Sequence, residues 1–234
     1  MNKALCAALA ASLMAFASCG GEKGPVAVKN DPALNGKLAE AVKASNAKAV
    51  ERLLGKGADP NAFIAGGRNS AFHLALFMND AAVIRLLADA GADLSKADQN
   101  NIFPLALAAQ RNNAEIVGLL IDKGADVNAV NKNPVLSTAL MDAAEANALD
   151  ALRVLVDRGA DIDMLDKYNA PAVVFAADKN HLEAVKLLAE AGAELNVVDT
   201  GLGYAALDFA IRNKNDGMIA YLESKGAVAN KLKK

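Results

Sequence analysis

Gly57-Ala58-Asp59-Pro60-Asn61 is the stretch that decides the fold, because the chain returns to a Gly-Ala-Asp-x-Asn-like pentapeptide at Gly91, Gly124, Gly159, Gly192 and Gly226. The successive glycines stand 34, 33, 35, 33 and 34 residues apart. A fixed period of that length is one small supersecondary unit stacked repeatedly, which places function on a continuous surface and not in a central pocket. Upstream of Gly91, Ser70-Ala71-Phe72-His73-Leu74-Ala75-Leu76 and Val83-Ile84-Arg85-Leu86-Leu87 are two apolar-periodic stretches broken at Asn79-Asp80. The pattern reads as helix, turn, helix, closed by a left-handed glycine, with Asp and Asn side chains satisfying the turn that follows. A projecting, hairpin-like finger is expected after each pair.

The start of each first helix is in phase with these glycines. It reads Ser70-Ala71-Phe72-His73-Leu74-Ala75, Phe103-Pro104-Leu105-Ala106-Leu107-Ala108 and Thr138-Ala139-Leu140-Met141-Asp142-Ala143, and weakens to Pro171-Ala172-Val173-Val174-Phe175-Ala176 and Ala205-Ala206-Leu207-Asp208-Phe209-Ala210. Together with the pentapeptides this resembles the ankyrin repeat family, whose unit opens on Thr-Pro-Leu-His-x-Ala and closes on Gly-Ala-Asp-x-Asn. The tetratricopeptide repeat has a similar period but lacks the Gly-Ala-Asp turn, and this chain has no tryptophan to supply that family's pattern. The resemblance implies an all-α repeat solenoid of about six stacked units, each a helix-turn-helix plus a β-hairpin finger, at about 36–66, 67–99, 100–133, 134–167, 168–201 and 202–230 within a domain spanning 36–234. Phe103, Pro171 and Ala205 lack the side chain that normally caps a first helix, so their repeats are expected to lean on their neighbours. Polar residues such as Lys37, Lys43 and Lys48 in the first unit, and Arg212, Lys214, Glu223 and Lys225 in the last, suit the solvated ends of a stack. The array reads as complete.

The N-terminus carries a second signal. Lys3 precedes an uncharged, mostly apolar stretch from Ala4 to Ala17, too short to span a bilayer comfortably but suited to a secretory leader. Ala15-Phe16-Ala17-Ser18-Cys19 resembles a bacterial lipobox, with Phe16 where Leu is more usual. This resemblance implies a signal peptide over 1–18, lipid on Cys19 and a tether over 19–35. Cleavage after Ala17 and an uncleaved anchor are the alternatives. Of two cysteines, Cys6 lies within the leader, so no internal disulfide is expected and Cys19 reads as the attachment point. Several acyl chains on one cysteine, at about 0.8 kcal/mol per buried methylene, give stable anchoring. Gly20 after the cysteine points, by the same resemblance, to the outer membrane with the domain facing the periplasm; a soluble periplasmic or secreted protein is the alternative.

A formal net charge of −2 with no basic stripe argues against nucleic acid, whose binding depends on phosphate neutralisation. No metal cluster, nucleophile elbow or phosphate-cradling loop is legible, so neither catalysis nor a cofactor is expected. His73 and His181 sit where ankyrin repeats place structural histidines. Gly66-Gly67 reads as turn flexibility.

Two rows are the candidate binding residues. The sixth residue after each repeat glycine gives Phe63, Ala97, Val130, Leu165 and Val198, an apolar stripe along the fingers to which Tyr168, Leu136 and Leu202 add. The competing reading has these side chains folded back on their own loops. The eighth position of each first helix gives Phe77, Gln110, Glu145, Asp178 and Arg212, with Arg111 and Lys179 alongside. Mixed charge with one aromatic suits a protein surface, and ordinary solvation is the alternative. The extra residue between Gly124 and Gly159 enlarges one finger near Lys132 to Ser137. The whole reads as a lipid-anchored, non-enzymatic module binding an envelope protein. Resemblance to periplasmic ankyrin proteins suggests support of a catalase-type stress enzyme, with an inhibitor of an envelope-acting toxin as second reading and a hydrolase as a remote third.

Overall fold

A computed structural model describes residues 31–64 and 69–231. The leader, Cys19, most of the tether, Gly66-Gly67 and residues 232–234 lie outside the described residues. Within them are twelve helices in six antiparallel pairs: α1 (Pro32–Lys43) with α2 (Ala47–Leu54), α3 (Ala71–Met78) with α4 (Ala81–Asp89), α5 (Pro104–Gln110) with α6 (Ala114–Asp122), α7 (Ala139–Glu145) with α8 (Leu149–Asp157), α9 (Ala172–Asp178) with α10 (Leu182–Glu190), and α11 (Ala206–Arg212) with α12 (Asp216–Ser224). First helices stack on first helices and second on second, giving two layers. Between them runs one continuous core, from Leu38 and Val42 through Leu76, Ile84, Leu120, Leu152, Leu155 and Leu188 to Met218 and Leu222, all essentially without solvent contact. The alanines that end each start motif, Ala75, Ala108, Ala143, Ala176 and Ala210, are also buried. A single methyl group there lets neighbouring first helices approach closely, and any larger side chain would overpack the layer.

All six repeat glycines adopt a left-handed conformation, with φ between 81° and 97°. A Cβ there would be strained, so this conformation is what the glycine period encodes. The residue at the end of four of the six pentapeptides then staples one repeat to the next, whereas Ser95 bonds Asp93 within its own loop. The side-chain Oδ1 of Asn61 accepts from Asp93 N–H at 2.8 Å, that of Asn128 from Asp161 N–H at 2.8 Å, that of Asp163 from Glu194 N–H at 2.9 Å and that of Asn196 from Val228 N–H at 2.8 Å.

Helices with a local cap use it: Ser70 accepts from His73 N–H and Thr138 from Met141 N–H. Phe103 and Pro171 supply none, as expected, and the neighbours compensate in part. Asn131 of the next finger accepts from Phe103 N–H at 2.8 Å. Asn112 of the preceding repeat accepts from Asp150 and Ala151 N–H, serving the first turn of α8, which opens on uncapped Ala148. Ala205 is bonded through its N–H to Asp208 at 2.9 Å. The polar residues named for the first and last units are exposed.

The fingers are turns and not strands among the described residues, with isolated bridges at Phe63–Ser70 and Val130–Thr138. A buried acid seven residues after the glycine organises three of them. Asp98 Oδ1 accepts from Asn100 and Ile102 N–H, Asp166 Oδ1 from Tyr168 and Ala170 N–H, and Asp199 from Leu202 and Tyr204 N–H. These side-chain bonds do the work that a hairpin ladder would otherwise do.

Candidate protein-binding surface

The surface is built from the fingers and the exposed ends of the first helices. Numbering fingers by the glycine that opens each, from Gly57 as the first, Phe63 stands on the first, Val130 on the third, Leu165 and Tyr168 on the fourth, and Val198 and Leu202 on the fifth. Phe63 is exposed with Lys96 Nζ 4.1 Å from its ring centre. Val130, Leu136, Leu165, Tyr168 and Leu202 are between 39 % and 49 % exposed, whereas Ala97 and Val198 are half-buried. The apolar row thus reaches solvent at most of its positions, and it is interrupted at two.

Adjacent fingers are tied by backbone. Lys132 N–H donates to Asn101 O at 2.9 Å, Lys167 N–H to Val135 O at 3.0 Å and Thr200 N–H to Tyr168 O at 2.7 Å. On the third finger Leu136 sits at φ 62° where Asn101 and Asn169 occupy the equivalent left-handed positions of their fingers; it lies 12 residues after Gly124, against 10 after Gly91 and Gly159 for the two asparagines, so the added length falls before it. Asn133 Oδ1 holds this turn by accepting from Leu136 and Ser137 N–H. A branched apolar residue held left-handed and exposed is a strained choice at a fingertip.

The helix row is paired along its length. Arg111 lies over the Phe77 ring at 5.5 Å, Lys179 bonds Glu145 at 3.1 Å, and Arg212 pairs with Asp178 while stacking on Phe209 at 4.7 Å. The Glu145 bond and charge hold the Lys179 ammonium above its usual range. Gln110 is exposed at the end of α5. These charges form a braced strip more than a set of free ionic contacts, and each exposed pair contributes little to stability on its own.

Two features were not picked out as site residues from the sequence. The first is Asp142, buried beneath Gln110 and Glu145. Asn131 Nδ2 donates to its Oδ2 at 2.8 Å and also to Ser137 Oγ at 3.1 Å. Burial pushes the Asp142 carboxyl up to about 6, hydrogen bonds from Ser137, Asn131 and Gln110 oppose the rise, and the Glu145 charge adds to it. The second is a cleft of ≈ 260 Å³ between the fourth and fifth fingers, walled by Tyr168 and Leu202 and floored by Val174, Phe175 and Phe209. It brings together Tyr168 and Asp178 from the two predicted rows; Asp166 and Asp199 also line it. Phe175 and Phe209 occupy the fifth position of the start motif, where Leu74, Leu107 and Asp142 stand in other repeats. Two successive aromatics at that position were a legible signal.

The histidines are structural. His73 is fully buried, with Nε2 2.8 Å from Lys96 O and Nδ1 2.9 Å from Ser70 Oγ, and burial lowers its pKa. The carbonyl partner fixes the proton on Nε2, leaving Nδ1 as acceptor. His181 Nε2 reaches Glu145 O of the preceding repeat at 3.1 Å. Among the described residues no cluster of His, Cys, Asp and Glu could hold a metal ion, and no helix is long and apolar enough to cross a membrane.

A family model described as ankyrin repeats in three copies matches residues 38–131, 72–166 and 140–232, which between them span most of the chain. The chain belongs to the ankyrin repeat family. Among solved structures, the ankyrin repeat domain of Bcl-3, described as a unique member of the IκB protein family, superposes with a TM-score of 0.74 at 29 % identity, over 82 % of this chain and 86 % of that one. No curated protein matches the sequence. Ankyrin repeats indicate a protein–protein interaction module, on a fold that is typically a non-enzymatic scaffold.

Proposed function

We propose that this ankyrin protein is a non-enzymatic binding module, held in the bacterial cell envelope by lipid on Cys19, that grips an envelope protein with its fingers and first-helix ends. The observation that carries the binding reading is the set of fingertip side chains Val130, Leu136, Leu165, Tyr168 and Leu202, exposed although apolar and presented by loops that backbone bonds hold in register. Apolar side chains kept at solvent on rigid loops lose little entropy on docking. The anchoring rests on Ala17-Ser18-Cys19-Gly20 after a short apolar stretch.

The test is photo-crosslinking in the native envelope from a reactive residue placed at Leu165, with a matching residue at exposed Glu51 on the first repeat's second helix as control. A discrete adduct from Leu165 alone is expected, and mass spectrometry of it separates a catalase-type stress enzyme from an envelope-acting toxin. Equal labelling from both positions would reject the finger surface. Intact mass of the processed chain should show acyl groups on Cys19, and an unmodified N-terminus at Ser18 would reject the anchor.

A further inference from the structure

The third finger is organised differently from its neighbours. Seven residues after the repeat glycine, Asp98, Asp166 and Asp199 each accept amides of their own loop, whereas the third finger has Asn131 at that place. Its carboxylate stands instead on α7, at Asp142, where other repeats carry Leu74, Leu107, Phe175 and Phe209. Asn131 Oδ1 accepts from Phe103 N–H at 2.8 Å, while its Nδ2 donates to Asp142 Oδ2 at 2.8 Å and to Ser137 Oγ at 3.1 Å. Ser137 Oγ also accepts from Asn133 Nδ2 at 2.9 Å, which leaves its own hydrogen for the Asp142 carboxyl. The finger thus rests on a buried side chain of a helix.

That side chain is costly to ionise where it lies, because burial raises its carboxyl and the Glu145 charge on the same helix adds to the rise. The other charges on the elements packed around α7 are engaged elsewhere. Lys179 of α9 bonds Glu145 at 3.1 Å, Asp178 is taken by Arg212, and His181 meets Glu145 O. Arg111 of α5 lies over Phe77, Lys132 of the finger itself lies over Phe103, and Asp150, Arg153 and Asp157 of α8 stand exposed. The finger also holds Leu136 at φ 62°, a strained position for a branched apolar residue that movement of the turn would relieve.

We propose that Asp142 is a pH-operated latch on the third finger: with the carboxyl protonated, Asn131 and Ser137 sit on it and the finger is closed against α7; with the carboxylate ionised, water enters beneath the finger and both residues lift away. Hydration in the open finger returns the carboxyl towards 3.8, so the closed form holds the proton more tightly and opening grows as pH rises through about 6. Opening withdraws Asn131 from Phe103 N–H. It also reaches the second and fourth fingers, through Lys132 N–H to Asn101 O and Lys167 N–H to Val135 O. The latch is independent of what the fingers bind, so its failure would leave the binding reading standing.

The test is amide hydrogen exchange of the full-length protein, read residue by residue by NMR and corrected for the pH dependence of intrinsic exchange. Between about pH 5 and 7.5, protection of the Phe103, Asn131 and Ser137 amides should fall about tenfold, the ratio given by carboxyl values of 3.8 when open and about 6 when closed. At every pH these amides should exchange faster than those of Leu152 and Leu155 in the core, the mark of local opening. The Leu202 and Tyr204 amides, held by Asp199 in the fifth finger, should show no such fall. Asp142→Asn should make third-finger protection flat with pH. Glu145→Gln, an exposed change that keeps Asp142, should move the midpoint to lower pH. Flat protection in the wild type, protection equal to that of the core amides, a fall shared by the fifth finger, a pH dependence that survives Asp142→Asn, or a midpoint unmoved by Glu145→Gln would each overturn the latch.

Discussion

Removing the charge from Asp142 should stabilise this protein at neutral pH, by an amount the structure sets. Asp142 is 5 % exposed, and its carboxyl is pushed from 3.8 to about 6 by burial, with Glu145 adding repulsion. At about 1.4 kcal/mol for each pH unit, that rise corresponds to about 3 kcal/mol of unfavourable ionisation in the folded state. Because the native pKa lies above the unfolded one, the folded chain holds the extra proton between about pH 4 and 6. The stabilising contribution is fully present below the unfolded pKa and is lost as pH rises through about 6. Asp142→Asn stays neutral throughout and still offers a carbonyl oxygen to Asn131 Nδ2, while Gln110 and Glu145 can accept from its amide. We expect urea unfolding at pH 7.5 to show the variant more stable by about 1–3 kcal/mol, the lower end reflecting imperfect re-pairing of the amide. At pH 4 the advantage should vanish or reverse. A stability difference that stays flat within about 0.5 kcal/mol from pH 4 to 7.5 would refute the assignment of a buried, raised carboxyl at this position.

Leu120→Asp and Leu155→Asp each bury a charge in a site with no solvent contact, and thermal melts should show a loss of several kcal/mol; an unchanged melting temperature would mean the helix faces are misassigned. Leu136→Asn places at φ 62° the residue type that Asn101 and Asn169 already supply, and urea unfolding should show the variant more stable by about 0.5–1 kcal/mol; an unchanged stability would refute the strain at this turn. For His73, whose pKa burial lowers, stability is present above about pH 6.5 and is lost as pH falls through the lowered native value. His73→Met, which copies Met141 at the equivalent position, should therefore narrow its stability deficit against the wild type between pH 7.5 and 5. Changing Val130, Leu165 and Val198 together to Ser should weaken capture of the crosslinked partner by two orders of magnitude or so at roughly 1–3 kcal/mol per contact, with helicity retained; a large drop in melting temperature would assign the row to loop packing.

The sequence by itself determined the repeat number, the helix pairs and the left-handed turns, because each is written within one unit. A glycine at φ near 90°, a Ser or Thr cap and an apolar stripe of period 3.6 depend on residues a few positions apart, and their recurrence in phase removed the ambiguity of any single instance. It also singled out the fourth finger's Tyr168, which is exposed, and the helix-end residue Asp178, which is half-buried and paired with Arg212. What side chains about 33 residues apart do to one another was decided only by the stack. The charged row Arg111, Glu145, Asp178 and Arg212 reads from sequence as available charge, yet Lys179 and the arginines are spent on neighbours in adjacent repeats or on aromatic rings. Asn112 and Asn131, unremarkable in a loop composition, lend bonds to α8 and to Phe103 across a repeat boundary. The burial of Asp142 and the meeting of Phe175 with Phe209 beneath Tyr168 and Leu202 follow from the rise and twist between units, which fix distances that no local pattern encodes.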